Sequence, residues 1–378
     1  MKKSLSFVFL LISFVLSPLF AVSYGALLDN DSCIASNNDF SQNLLKQSNG
    51  IALYLNTPFN NEGTLKFSTE ALYRYKLSVN LQTNKNDFNH IVDLDLFKFS
   101  GKWNIANAFI QINAGRFLIG DISKIPFLQT SDGIAFGYEA RKFKFSAYAG
   151  YTGLLNSLNV SMTEKDFSSE QQFYALCPAY IPLSFSIVHK AFMQNNTLGF
   201  EIEHFIPITQ NKTSKTYATL LLSGPVSSFG NYSFNAIFGL ENKINVMFDT
   251  VFDINFFTGN FGVLTAGAEY ISGNHGGLKP FITVSERTIG NSSFINGVIL
   301  PKLSYVYTKN NFCAGVTETV VFAVPDETIK FDGFDTSINL IYNLFSDLQI
   351  SCDLGAYICT ENQSFSNYTA SIKARFAL

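Results

Sequence analysis

The sequence predicts an all-β fold, a transmembrane antiparallel β-barrel of about 16–18 strands, with about 14 as the lower bound. Three observations point there. Segments in which apolar and hydrophilic residues alternate recur along most of the 378 residues. After Ala21 no apolar run approaches the roughly 20 residues of a spanning helix, although 47% of the residues are hydrophobic and 39 are Phe. The last segment, "NYTASIKARFAL", keeps its alternation to the final Leu378.

The chain opens with "MKKSLSFVFLLISFVLSPLFAVSYGA": two lysines, an apolar stretch broken by Ser and Pro18, and small residues suited to peptidase cleavage near Ala21 or Gly25. That order is the order of an export leader, assigned to residues 1–25. A lipoprotein would carry a cysteine at the cut, and Cys33 lies beyond it. Residues 26–62 hold no steady period of two. They are expected to form an N-terminal tail or small plug, with helical spacing only in "DFSQNLLKQ", and the barrel is expected over 63–378.

In "TLKFSTEALYRYKLSVN", residues 64–80, Leu65, Phe67, Tyr73, Tyr75, Leu77 and Val79 alternate with Lys66, Glu70, Arg74, Lys76 and Asn80. Successive side chains of a strand point to opposite faces, so this segment requires oil on one side and water on the other. The same rule governs 143–151, 198–206, 232–240, 244–256, 338–344, 350–358 and 368–378. Weaker alternation marks 91–99, 104–114, 133–139, 172–177, 183–191, 216–223, 261–271, 280–287, 302–308 and 311–323. Together these make about eighteen strands.

A soluble sandwich would show the same period. Phe and Tyr crowd the apolar face, and the lone Trp103 and many Tyr fall near strand ends, where a polar tip meets headgroups. Short connections, such as those at "SGKW" (100), "EARK" (139) and "FSD" (345), are interspersed with longer ones over 81–90, 115–132, 153–171, 324–334 and 359–367. Short turns on one rim and long loops on the other belong to an outer-membrane barrel. The short "ENK" and "TGN" connections follow one another and break that rule mid-chain.

The C-terminal strand, with Tyr368, Ala370, Ile372, Ala374, Phe376 and Leu378 on one face, resembles the assembly signal of bacterial outer-membrane barrels. It departs from that signal by ending in Leu rather than Phe. Gly115, Arg116, Asp121, Asp132 and Gly133 are similar to a "GR…D…DG" stretch between early strands of porin-like families. These resemblances imply a porin-like protein of a Gram-negative-type envelope, assembled through its last strand by the barrel assembly machinery, in contact with outer-membrane lipid and compatible with a homo-oligomer.

A barrel this wide holds an aqueous channel, whereas about eight strands would be filled by side chains. The hydrophilic face then lines the lumen. Its expected wall residues are Lys66, Glu70, Arg74, Lys76, Glu201, Glu203, Asp249, Asp253, Lys373 and Arg375, and their near balance implies at most mild ion selectivity. Segment 115–132 is the candidate pore constriction, because Arg116, Asp121, Lys124 and Asp132 share it with Ile125, Pro126 and Phe127, and charge at a constriction sets permeation. An ordinary outside loop with solvated charges would carry the same residues.

Diffusion of small hydrophilic solutes is the function this reading favours. A transporter of hydrophobic compounds similar to the long-chain fatty-acid channel, with residues 26–62 as a hatch, is the alternative, and a surface-display barrel or adhesin presenting 153–171 and 288–301 is another. An enzyme is disfavoured: His90, His189, His204 and His275 sit in no catalytic or metal-ligand spacing, and no GxSxG, HExxH, Walker or dinucleotide motif occurs. No cofactor is expected. Removing Lys2 and Lys3 from 26 basic residues leaves 24 against 29 acidic, a net charge of −5 for the exported chain, without the basic block that nucleic acid requires. Five cysteines, an odd number without a CxxC, argue against a regular disulfide framework; a Cys352–Cys359 clip stays open but is not needed.

Overall fold

The structure is a computed structural model that describes residues 22–378 apart from 39–42, 61, 153–179, 194, 209–211, 243, 288–289, 292–295, 325–327 and 361–365. Eighteen strands occupy it: β1 (Ser23–Asn37), β2 (Asn43–Pro58), β3 (Leu65–Asn80), β4 (Lys85–Ile105), β5 (Ala108–Gly120), β6 (Leu128–Ala140), β7 (Phe143–Tyr151), β8 (Tyr180–Phe192) and β9 (Asn196–Pro207). The second half continues with β10 (Lys215–Ser227), β11 (Gly230–Glu241), β12 (Asn245–Thr258), β13 (Gly262–Ile271), β14 (Val298–Lys309), β15 (Phe312–Ala323), β16 (Lys330–Asn343), β17 (Leu348–Cys359) and β18 (Asn367–Ala377).

Every strand runs antiparallel to its neighbours in sequence, and β1 also pairs with β18 from Leu27↔Ala377 to Asn37↔Asn367. The sheet is therefore closed. Two backbone hydrogen bonds finish the seam, from Leu378 N–H to the Ala26 carbonyl (2.8 Å) and from Ala26 N–H to the Leu378 carbonyl (3.0 Å). Closure leaves no unpaired edge, which is the condition for a sheet in hydrocarbon.

Connections of two to six residues lie on one rim with the C-terminus, and connections of three to twenty-eight residues lie on the other. These are called the turn rim and the loop rim below. The mid-chain exception in the sequence is resolved by the 242–244 connection, a short one on the loop rim.

The two faces divide as the alternation requires. Leu65, Ile134, Phe185, Leu303 and Leu354 are exposed on the outer wall, whereas Ser131, Thr219 and Asp249 are fully buried inside. Three histidines face outward: His90 bonds the Tyr73 hydroxyl (2.8 Å), His204 bonds Thr216 (2.9 Å), and His189 lies against the Phe143 ring. Cys352 shares the outer face with Leu354, while Cys359 is turned inward and buried, and both are free thiols, so the clip between them is not made.

Several sequence expectations need correction. Residues 26–62 are neither tail nor plug, because residues 23–37 and 43–58 form β1 and β2 in the wall, and their pairing also begins at Ser23, inside the segment assigned to the leader. Their period was hidden by Asn30, Ser32, Gln47 and Asn49, polar residues on the outer face between Leu28 and Ile34 and between Leu45 and Ile51. Residues 43–47 of the expected helical stretch are strand. The turn expected at 100–103 comes at 106–107, where Ala106 takes a positive φ of 49°. Segment 81–90 is largely strand, since β4 resumes at Lys85, and segment 280–287 is not a wall strand at all. The eighteen strands counted from sequence thus included 280–287 and missed β1 and β2, and the candidate at 172–177 lies outside the described residues.

The two faces of one strand should respond differently to a charge. Leu354→Lys places an ammonium against lipid, a cost of about 2–4 kcal/mol near mid-membrane, and should lower the fraction of heat-modifiable folded barrel in gel-shift assays. Ser351→Lys, three residues earlier and facing the lumen, should leave that fraction unchanged.

Candidate functional site: a lumen narrowed by two infolded segments

Among the described residues, two loop-rim connections turn inward. The first, residues 121–127, is short and held by its own acid: Asp121 accepts hydrogen bonds from the amides of Ser123 (2.7 Å) and Phe127 (3.4 Å), while its N–H donates to the Phe127 carbonyl (3.0 Å). Lys124 takes a positive φ of 61° at the tip. Burial raises the Asp121 carboxyl above its ordinary pKa, against the lowering effect of the hydrogen bonds from Ser123, Phe127 and Ile125.

The second lies between β13 and β14. Residues 281–285 run along the inside of the wall, where the Ile282 carbonyl accepts from the Tyr217 hydroxyl of β10 (2.5 Å). The Pro126 carbonyl accepts from the amides of Val284 (2.9 Å) and Ser285 (3.2 Å), tying the two segments together, and Ser285 Oγ donates to Gln129 on β6 (3.2 Å). Phe127, Phe205, Tyr217 and Phe281 form a chain of ring contacts beneath them at 5.2, 5.8 and 5.9 Å between successive centroids. An apolar core including Met247, Val284 and Val298 is thereby buried inside the barrel.

Arg287 anchors the far end of this segment. Its guanidinium pairs with Asp249 on β12 (2.6 Å) and with Glu269 on β13. Burial alone would lower its pKa, but Glu269 and Asp249 outweigh that and hold it above its ordinary value. Beyond it, Asn291 reaches across to β16 and β18: its Nδ2 donates to Asp335 (2.8 Å), and its carbonyl and Oδ1 accept from Asn367 (2.7 Å) and Thr369 (3.1 Å).

Two of the cavities along the lumen gather charged side chains. One of about 470 Å³ lies against β17, β18 and β1 to β3 and is lined by Asp29, Asp31, Ser48, Arg74, Lys76, Gln349, Ser351, Lys373 and Arg375. Four cations there meet two carboxylates. Arg74 sits 4.0 Å from Asp29, which packs over Gly50, where a Cβ would fall 2.3 Å from the carboxylate. The other, about 490 Å³, lies across the barrel beneath the first segment, where Asp121, Lys124, Lys144 and Glu201 meet the hydroxyls of Ser146, Ser184 and Ser186. Both volumes suit a small solute.

The sequence candidates are therefore scattered over distinct environments. Arg116 and Asp132 are held within the wall, with Arg116 3% exposed between Asp132 (3.2 Å) and Asp93 (3.9 Å). Gly115, just before it, has a φ of 115°. Asp121 and Lys124 reach the cavity. Among the wall residues, Arg74, Lys76, Lys373 and Arg375 line one cavity and Glu201 the other, while Glu203 and Asp249 are covered by the infolded segments and Asp253 is paired with Lys302 (2.8 Å). Lys66 and Glu70 share the inner face of β3 nearer the turn rim. Sequence reasoning missed Arg287, Asn291, Asp29 and Asp31. Among the described residues, no group of three His, Cys, Asp or Glu side chains could hold a metal ion.

A closed eighteen-strand barrel with infolded loop-rim segments is a porin-like architecture. No family model and no curated protein matches the sequence. Solved structures do match it in fold. Pseudomonas aeruginosa OccK7 (OpdD) superposes with a TM-score of 0.64 at 9% identity, and OpdQ of the same organism with 0.62 at 13%. P. aeruginosa OccK2 (OpdF), solved in complex with glucuronate, gives 0.59 at 14%. Each match covers 94% of this chain and 98% of the other. The chain shares the barrel fold of these outer-membrane porins.

Arg287→Ala strands Asp249 and Glu269 without their cation, a loss of about 3–5 kcal/mol for a buried pair, and frees the segment. The expected result is a lower unfolding temperature with larger, noisier single-channel steps. Unchanged steps and an unchanged melting curve would remove Arg287 from the constriction.

Proposed function

We propose that the chain is an outer-membrane channel through which small hydrophilic solutes diffuse, favouring anionic ones. The observation that carries this reading is the charged stretch of lumen wall beside β17, β18 and β1 to β3, where Arg74, Lys76, Lys373 and Arg375 face Asp29 and Asp31 around a cavity of about 470 Å³. Lys373 is partly neutralised by Asp353 at 2.8 Å, and the four cations around this cavity still outnumber the two carboxylates that line it. The glucuronate bound by OccK2 is a small carboxylate of the size these cavities accept.

Export uses the N-terminal leader, with cleavage ahead of Ser23 so that β1 survives whole, and the last strand presents Phe376 and Leu378 to the barrel assembly machinery. Diffusion needs no catalytic group, and none is assigned. The hatched-transporter alternative loses its hatch because residues 23–37 and 43–58 are wall.

In planar bilayers under a salt gradient, the wild-type channel should show ohmic steps and a reversal potential of anion-selective sign. Lys76→Glu combined with Arg375→Glu should lower the anion-to-cation permeability ratio several-fold and invert that sign. Absence of any conductance from correctly folded protein would refute the channel reading.

A further inference from the structure

Among the described residues, the outer wall carries two polar islands at mid-strand in its apolar band. On β1 and β2, Asn30 and Ser32 face outward between exposed Leu28 and Ile34, beside Gln47 and Asn49 between exposed Leu45 and Ile51. They bond mainly to one another: Asn30 Nδ2 donates to Asn49 Oδ1 (2.6 Å), Ser32 Oγ to Gln47 Oε1 (2.6 Å), and Gln47 Nε2 to Asn49 Oδ1 (3.2 Å). Three carboxamides bring six N–H groups to this island, and the bonds within it use two. Within it Asn49 accepts twice and donates to none of the other three.

The second island is on β15 and β16. Glu318 faces outward at the middle of β15, in register with exposed Leu303 on one side and Thr336 on the other, and on the same face as Val316 and Val320. Thr336 Oγ1 donates to its Oε2 (2.6 Å). That bond leaves the acceptor capacity of Oε1 unused, and hydrocarbon offers it no donor.

A lipid-facing carboxyl and a lipid-facing carboxamide cluster are both costly against acyl chains, and ionisable groups within a membrane mark sites of contact or transport. Headgroups are excluded by depth, since each island sits at mid-strand. The two islands are complementary, with spare N–H donors on one and spare carboxyl acceptors on the other. Ala374 stands opposite Asn30 of the first island and Ala356 opposite Thr336 of the second, small side chains at the centre of each.

We propose that the two islands are the halves of one interface between copies of this chain, Asn30, Gln47 and Asn49 of one barrel facing Glu318 of the next. Because the halves differ, the contact is head-to-tail and closes into a ring. The islands are four strand steps apart in the closed sheet of eighteen. That is about 80° around the wall, between the roughly 60° of a three-membered ring and the roughly 90° of a four-membered one. The proposal rests on the outward orientation of these residues and not on the solute carried.

In a background with Cys33, Cys177, Cys313, Cys352 and Cys359 replaced, N49C with E318C should form oxidant-driven cross-links in outer membranes up to a closed trimer or tetramer. N49C alone and E318C alone should form none. Separately, N49L and E318L should each yield monomers by light scattering after mild extraction, with folded-barrel gel mobility and single-channel steps unchanged. A monomeric wild-type protein, cross-linking through N49C alone, or cross-linking only to a different protein would each overturn the proposal; if the cysteine pair does not fold, the masses of wild type, N49L and E318L decide.

Discussion

Hydrocarbon cannot accept or donate a hydrogen bond, and every other feature of this protein follows from that. A strand in lipid must have both its edges paired, so β1 has to find β18, and the chain has to supply enough strands to meet itself. The sheet that results has two solvents. Its outer face must offer oil and its inner face may offer charge, which is why Phe and Tyr are abundant in a chain whose described residues contain no helix long and apolar enough to cross a membrane. Where the outer face carries Asn, Gln or Glu instead, the local cost calls for a partner other than lipid.

A ring of eighteen strands encloses more space than wall side chains alone can fill, and the protein divides that space unequally. Residues 281–285 and 121–127 are bound to each other through Pro126 and cover an apolar core that extends from Phe117 of β5 to Tyr357 of β17. Arg287 secures this arrangement by neutralising two wall carboxylates at once. Beside β17, β18 and β1 to β3 a cavity remains that is lined by charge. Selectivity in such a lumen comes from which stretch of wall is left uncovered, more than from the overall charge balance of the chain.

Much of the barrel was legible because its cause is periodic. Leu65 to Asn80 alternates with no more than small exceptions, and β3 spans that segment. β1 and β2 escaped because polar residues occupy their lipid-facing side, so a period-of-two reading found no oil where Asn30 and Asn49 stand. Segment 280–287 misled in the opposite way: its alternation of Phe281, Thr283 and Ser285 with Ile282 and Val284 reflects an extended chain packed inside the lumen, which shares the period of a wall strand. The site was less legible than the fold. Arg74, Lys76, Lys373 and Arg375 could be assigned to the inner face by parity, but their gathering around one cavity depends on β18 closing against β1. Arg287 gives no local signal at all, since its partners Asp249 and Glu269 are set by how far the segment before it reaches into the barrel.

The central claim, acyl chains outside and water within, is tested most directly by placing a spin label at each position from Gln349 to Leu354 of β17 in lipid bilayers and measuring collisions with oxygen and with a water-soluble nickel chelate. Labels at Ile350, Cys352 and Leu354 should collide preferentially with oxygen, and labels at Gln349, Ser351 and Asp353 with nickel, out of phase along the strand. Uniform accessibility to the nickel chelate at all six positions would contradict a membrane-spanning wall.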